Sequence, residues 1–475
     1  MRAGVARVCI TPPVGTWQGG YGARTRPAEG IHDDLYARAL VLEEETTGRR
    51  SALVSLDIVS LPHELSDSAR RAAAELSGID AAHITLCCSH THGGPLTRPM
   101  GTLGSGGALP DDDYVRILDK LIAGAVSAAA RELRPVTVRI GHAEAAFNVN
   151  RRLRSPEGTL MRPNREGALD RDVAVIRLDA LDTGDGATGA GGGTMAPSAP
   201  PLATLFRYTC HATSLGADNY LFTADYPGAA ASFVERAYGG RTTALFLQGC
   251  TGNIRPHYTG ASGGFRSATW DELDRAGREL GGAVVSAAER STLRTGDPGA
   301  AGTSSTAEVS IAAAGRTDLV PYAPPPDHAD LDRTFAAGHW PDGAAVSDAD
   351  RAWAVEVRDA AAQGTLPRGM EAEVQVLRLG GVWLVFLPGE VFVEIGWRVR
   401  DAVAAATGAA PHDVVVSAYA NGNAGYVPTG AAIPEGGYEV TVHRRAGNTG
   451  YTAEAEEILV RSAAALATAL CSSTS

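Results

Sequence analysis

A chain of 475 residues, 44% of them hydrophobic, can bury a sizeable core, which excludes disorder as its general state. Its formal charge of -12 would repel nucleic acids and anionic lipids alike, so neither is expected as a partner, and a small-molecule substrate is. The cations are 41 arginines and one lysine, Lys120, in an alanine- and glycine-rich background typical of GC-biased coding, so arginine clusters count for little by number alone.

The N-terminus, Met1-Arg2-Ala3-Gly4-Val5, lacks the apolar run of a signal peptide, and no segment approaches the length of a membrane span. A cytoplasmic protein without stable membrane association is expected. The composition sets no oligomeric state and is compatible with a homo-oligomer. Six cysteines over this length make no disulfide framework and are expected as buried free thiols in a reducing compartment.

In chain order, Val5 to Cys9 reads as a strand, followed by a glycine-rich loop, Gly15 to Gly22, whose backbone could approach a ligand closely. Tyr36 to Leu42 and Ser51 to Leu56 are strands, the second ending at Asp57, a candidate to orient a histidine or to cap a helix. Helices near Glu64 to Leu76 and Asp112 to Leu133 alternate with strands at Ile84 to Cys88 and Val136 to Ile140. That alternation predicts an α/β fold with a mostly parallel central sheet covered by helices on both faces. Asp111-Asp112-Asp113 reads as the cap of the second helix.

The apolar run from Ile84 stops abruptly at Ser89-His90-Thr91-His92-Gly93-Gly94-Pro95. Strands that deliver imidazoles to their C-terminal ends are how open α/β sheets build sites, although an isolated H-x-H pair is weak as a signal. Asn148 to Arg152 opens a stretch with six arginines up to Arg171, and Val173 to Leu178 returns to strand. Residues 182–201 read as a low-complexity insertion. Leu202 to Thr209 ends at Cys210-His211-Ala212-Thr213, and Thr242 to Leu247 runs into Gln248 to His257, so three strands stop at turns rich in polar and glycine residues.

A boundary is expected at Thr295 to Thr306, dividing the chain into lobes at 1–296 and 297–475, the second also α/β. Within it, 317–370 is expected as a lid carrying a helix at Asp348 to Gln363. Leu387-Pro388-Gly389-Glu390 is expected to open a helix with apolar positions at Phe392, Ile395, Val399 and Val403, which would hold Glu390 at its N-terminus. The final strand, Val414 to Ala418, leads to the glycine-flanked Tyr426. His90, His211, Glu390 and Tyr426 together would make a nitrogen and oxygen cage suited to zinc, completed by the second lobe. Singly they have other readings: a core histidine, a helix-dipole carboxylate, a buried aromatic.

These residues carry a resemblance. Ser89 to Pro95, Asn150-Arg151, His211-Ala212-Thr213, Asp225-Tyr226-Pro227-Gly228, Gln248 to Pro256, Pro388-Gly389-Glu390 and Gly425 to Thr429 occur in the order found in the catalytic region of the neutral ceramidases. The resemblance implies one zinc ion per chain on His90, His211, Glu390 and Tyr426, with His92, Arg151 and Tyr438 as catalytic groups. Two departures stand out. Where the ceramidases have an aspartate and a serine in a Gly-Asp-x-Ser-Pro loop, this sequence has Gly252-Asn253-Ile254-Arg255-Pro256; and no counterpart of the immunoglobulin-like domain of secreted ceramidases is expected.

A serine is dispensable if water activated at the metal attacks an amide, or in second place an ester, with His92 exchanging protons and Arg151 and Tyr438 stabilising the oxyanion. Arg255, with His257 and Asn253, would then contact an anionic group on a small acyl substrate. Three alternatives stay open: non-hydrolytic acyl transfer or condensation, a metal- or ligand-binding protein without catalysis, and a ceramidase.

Overall fold

The computed structural model describes residues 1–100, 108–181, 200–294 and 309–472. Most of the expected insertion and the expected boundary lie outside the described residues. The α/β class holds, with a large mixed sheet whose strands run Thr243–Gln248, Ala203–Tyr208, Asp172–Ala180, Arg134–Glu144, Arg2–Cys9, Tyr36–Glu43, Arg50–Leu56 and Ile84–Cys88 across its width. Only the outermost neighbours at each end pair in parallel; the inner pairings are antiparallel, where a mostly parallel sheet was expected.

The reason is burial. Ala37, Ala39 and Val41 pack with Leu118, Ile122 and Val126 of the Asp112–Arg131 helix, while the intervening Leu40 and Leu42 face the other way into a second cluster. A strand buried on both faces reads as a continuous apolar run whichever way its neighbours point, so the pattern carries no orientation.

The expectation of helices on both faces is also corrected. The cluster on the far side contains Leu40, Leu53, Val138, Ile176 and Leu245 of the first sheet and Leu377, Leu384, Phe386 and Val415 of a second, and no helix contributes to it. That second sheet runs Ile311–Pro321, Gly369–Leu379, Val382–Phe386, Val414–Ser417, with the Val393–Thr407 and Glu454–Ser472 helices on its outer face. The layers are therefore helix, sheet, sheet, helix. Both ends of the expected lid are strands of this sheet; the helices between them, His328–Ala337 and Asp348–Gln363, pack toward residues 443–451 through Arg444 to Asp350 and Trp353 to the Asn448 carbonyl.

Edges of the large sheet approach one another. Ser55 Oγ donates to the Phe246 carbonyl at 2.6 Å and Gln248 Nε2 to the Ser89 carbonyl at 2.9 Å, which carries the turns after Cys88 and Gln248 to one place. Asp57 neither caps a helix nor orients a histidine: it is buried against Arg38 at 2.7 Å and accepts the Tyr36 N–H. Asp111 does cap its helix, accepting the Tyr114 N–H. All six cysteines are free and four are buried, with Cys9 exposed. Among the described residues no helix is long and apolar enough to cross a membrane.

Candidate metal centre

The Ile84–Cys88 strand ends in a turn that His90 enters with a left-handed φ of 62°, its N–H held by the Ile58 carbonyl at 3.0 Å. An L-residue adopts this conformation only when its surroundings fix it. His90 Nδ1 lies 2.7 Å from the Val59 carbonyl. From the other edge of the sheet, the chain after Tyr208 brings in His211, whose Nδ1 lies 2.7 Å from the Thr251 carbonyl. A carbonyl can only accept, so each Nδ1 carries a hydrogen and each ring turns its Nε2 inward.

Glu390 arrives differently from expectation. It does not start a helix; Glu390–Val391 pairs in parallel with Tyr426–Val427, and the helix begins at Val393. Its partner strand is 36 residues away in sequence, beyond the reach of any local signal. Direct pairing puts Glu390 and Tyr426 side by side on one face of the ladder.

Glu390 Oε2 stands 3.0 Å from His211 Nε2 and 3.4 Å from His90 Nε2; Tyr426 Oη stands 3.4 Å from His211 Nε2. His92 joins the same cluster, its Nε2 3.2 Å from His90 Nε2, and His90, His92 and His211 could together hold a metal ion. Burial and the Arg151 charge push His211 down to about 3, and burial with its two histidine neighbours holds His92 well below the ordinary value, so both rings are neutral. A bare imidazole nitrogen facing a carboxylate oxygen at 3.0 Å is an acceptor meeting an acceptor, an arrangement that a cation between them would relieve. Donors around a tetrahedral ion with bonds of ~2.0–2.1 Å stand ~3.3 Å apart, so the spacing fits.

Arg151 braces this group. Its Nη2 donates to Tyr426 Oη at 2.9 Å and to the Gly252 carbonyl at 2.7 Å, while its Nε donates to Glu439 at 2.7 Å. The other oxygen of Glu439 accepts from Arg152 at 2.9 Å. Tyr438 sets its ring edge-on to Tyr426, centroids 5.7 Å apart, and is partly exposed. Arg255 shares a sheet face with Arg151, because Arg255 is registered with Val149 and the Arg151 N–H bonds the Asn253 carbonyl.

Two expected substrate contacts fall elsewhere. Asn253 is buried, with its amide donating to Glu394 and accepting the Val393 N–H, so it ties the loop to the start of the Val393–Thr407 helix. His257 lines a separate surface cavity of about 260 Å³ with Phe147, Tyr258 and Glu272. Conversely, Tyr419, Glu439 and Tyr21 were not singled out by sequence. Tyr419 has a φ of 59°, bonds Thr251 Oγ1 at 2.6 Å and lays its ring 4.3 Å from that of His90. Its position at the end of the Val414–Ser417 strand was the one available signal.

Fold and site together define an α/β protein with a candidate metal centre where the turns of both sheets meet. Residues 1–269 match the family described as neutral/alkaline non-lysosomal ceramidase, N-terminal, and the chain belongs to that family. It is 27% identical to the neutral ceramidase of Drosophila pseudoobscura pseudoobscura over 285 residues, 54% of this chain and 36% of that one. Against the neutral ceramidase of Mycobacterium tuberculosis the figure is 24% over 484 residues, 88% of this chain and 70% of that one. The solved structure of the Pseudomonas aeruginosa neutral ceramidase superposes with a TM-score of 0.71 at 20% identity, covering 99% of this chain and 74% of that one, and so shares its fold. The aligned part thus spans about a third of the Drosophila relative.

Proposed function

We propose that this chain is a zinc-dependent hydrolase of amide bonds in small acyl compounds that carry a negative charge. The observation that carries the reading is the convergence of His90, His211, Glu390 and Tyr426 donors at 3.0 to 3.4 Å spacing. Mixed nitrogen and oxygen donors in this number suit zinc, held by those four residues. When bound, zinc polarises a carbonyl and makes water a better nucleophile at neutral pH.

The protein's own groups account for the proton traffic. In hydrolysis a water oxygen bonds to the acyl carbon, the C–N bond breaks, and the amine leaves with a proton that came from water. Neutral His92, half-buried and in the donor cluster, can take that proton and return it to the leaving nitrogen. Arg151 holds Tyr426 through Nη2 and is anchored by Glu439, so its fork has a fixed position from which to donate to the developing oxyanion, with Tyr438 beside it. Arg255 faces no carboxylate among the described residues, which supports a charged substrate over the structural ion pair otherwise expected of a half-buried guanidinium.

Gly20, at a φ of 90°, lies so close to His92 that a Cβ would sit 2.3 Å from its Cγ. Gly20→Ala is expected to turn the ring away and lower kcat by ~10²-fold or more, the usual worth of acid–base catalysis, while circular dichroism stays that of the folded chain. Retained activity with a correctly incorporated alanine would remove His92 from the mechanism.

The deciding experiment is turnover of N-acyl amino acids by zinc-loaded and chelator-treated protein. Activity should vanish on chelation and return with zinc, and one oxygen of labelled water should appear in the released acid; unlabelled product, or coupling of acid and amine instead, would point to condensation. Hydrolysis of ceramide itself, favoured by the names of the relatives, is a second reading that a fluorescent ceramide in detergent micelles tests. Arg255 in the loop that carries a serine in those proteins weighs against it.

A further inference from the structure

We propose that Arg255 forms a carboxylate subsite on the leaving-amine side of the centre, so that the substrates are N-acyl amino acids whose negative charge sits on the amine half. This deepens the amidase reading above and rests on it for the direction of the substrate.

Charge is distributed unevenly around the donor cluster. At the Tyr426 end, the guanidinia of Arg151 and Arg152 are both matched by Glu439, and Glu390 adds a further carboxylate. At the His92 end the balance is reversed. Arg24 donates to the carbonyls of Gly19, His92 and Asn219 and meets no carboxylate among the described residues. Arg255 has one long contact, 3.4 Å to the Thr213 carbonyl, and a buried Nε with no hydrogen-bond partner.

In lacking an acid partner among the described residues, Arg255 resembles Arg24 and departs from four other arginines. Arg38, Arg70, Arg177 and Arg207, all buried, each lie against an acid. The nearby carboxylate of Asp225 is engaged by the Ser214 and Tyr226 N–H groups at 2.9 and 2.5 Å. Phe265 covers one face of the Arg255 guanidinium at 4.3 Å and fixes its plane, leaving the fork free to grip a carboxylate through two parallel bonds.

Its position relative to His92 sets the direction. The His92 backbone N–H bonds the Ala212 carbonyl at 3.2 Å, and the Arg255 side chain contacts the carbonyl of the next residue, Thr213, so the turn that carries His92 and the Arg255 guanidinium meet the same short segment of backbone. Tyr21 packs its ring edge-on to His92, centroids 4.6 Å apart, and the Arg255 charge acts on the Tyr21 hydroxyl, so Tyr21 neighbours both groups. Because His92 is the group that returns a proton to the leaving nitrogen, whatever that nitrogen carries extends toward Arg255. A carboxylate one carbon from the amide nitrogen is the group of that size and charge found on an amino acid.

Three matched probes test this: N-hexanoylglycine, its neutral counterpart N-hexanoylglycinamide, and an isomeric amide with the carboxylate at the far end of the acyl chain. Turnover and calorimetric binding would be measured for wild-type, Arg255→Ala and Arg255→Lys protein, all zinc-loaded. The expected result is a preference for N-hexanoylglycine over both other probes by ~10- to 100-fold, the range for a hydrogen-bonded charged group. That ratio should collapse in Arg255→Ala and recover in part in Arg255→Lys. Preference for the acyl-end carboxylate, or a ratio that Arg255→Ala leaves intact, overturns the proposal. Arg255-dependent binding of N-hexanoylglycine without turnover of any probe would retain the subsite and sink the hydrolase reading, and absence of both would sink the two together.

Discussion

Glu390→Gln is expected to empty the metal centre and abolish turnover. The carboxylate Oε2 lies within 3.4 Å of both inward-facing histidine nitrogens, and it supplies a negative charge against which a divalent ion can be held. Glutamine keeps the shape and removes the charge. Metal content by mass spectrometry should fall from one zinc per chain toward background, and kcat/KM should drop by ~10³-fold or more, the several kcal/mol that a metal contributes to a charged transition state. His211→Ala should do the same. Tyr426→Phe leaves three donors in place and should lower metal affinity without eliminating it. Full zinc occupancy together with full activity in Glu390→Gln would end the metal assignment.

The second large effect is on stability. Glu439 is buried and its two oxygens are divided between Arg151 at 2.7 Å and Arg152 at 2.9 Å. Removing a carboxylate from such an arrangement leaves two guanidinia in a poorly solvated place, and breaking a buried ion pair in this way costs about 3–5 kcal/mol. Glu439→Gln should therefore lower the unfolding free energy read from urea denaturation by an amount in that range. It should also reduce activity at temperatures where the protein remains folded, because Arg151 loses the anchor that aims its Nη2 at Tyr426. A loss below about 1 kcal/mol would mean that water already reaches these groups and that the brace is weak.

Much of the site was legible from local pattern. The apolar run that stops at Ser89 announces a strand end, and the histidines that follow mark a candidate site there once the other motifs along the chain are set beside them. The same reasoning found His211. Glu390 and Tyr426 came from the resemblance in motif order, and the reason given for the position of Glu390 was mistaken: its ladder partner, Tyr426, lies far along the chain, and only folding brings the two short strands together. Asn253 was read as a substrate contact from its place in the glycine-rich loop, yet its amide is consumed by the start of a helix 140 residues onward. Glu439 left no signal, since one acid among 54 acidic residues has no local mark of being the partner of two buried arginines.

Composition and periodicity by themselves determined the α/β class, most strands of the two main sheets with most of the helices that cover them, and the segments at which polar groups would gather; the Asn148–Ser155, Gly158–Asn164 and Ile254–Pro256 strands and the His328–Ala337 helix were not anticipated. Strand direction, and the replacement of one helical layer by a second sheet, were decided by tertiary structure alone. Hydrophobic burial is non-directional: it says that a strand is covered on both faces, and it is silent on what covers it or which way its neighbour runs. The geometry of the candidate metal centre depends on the same step, because hydrogen-bonded turns from opposite edges of the large sheet meet only once the chain has folded and the second sheet has closed against the first.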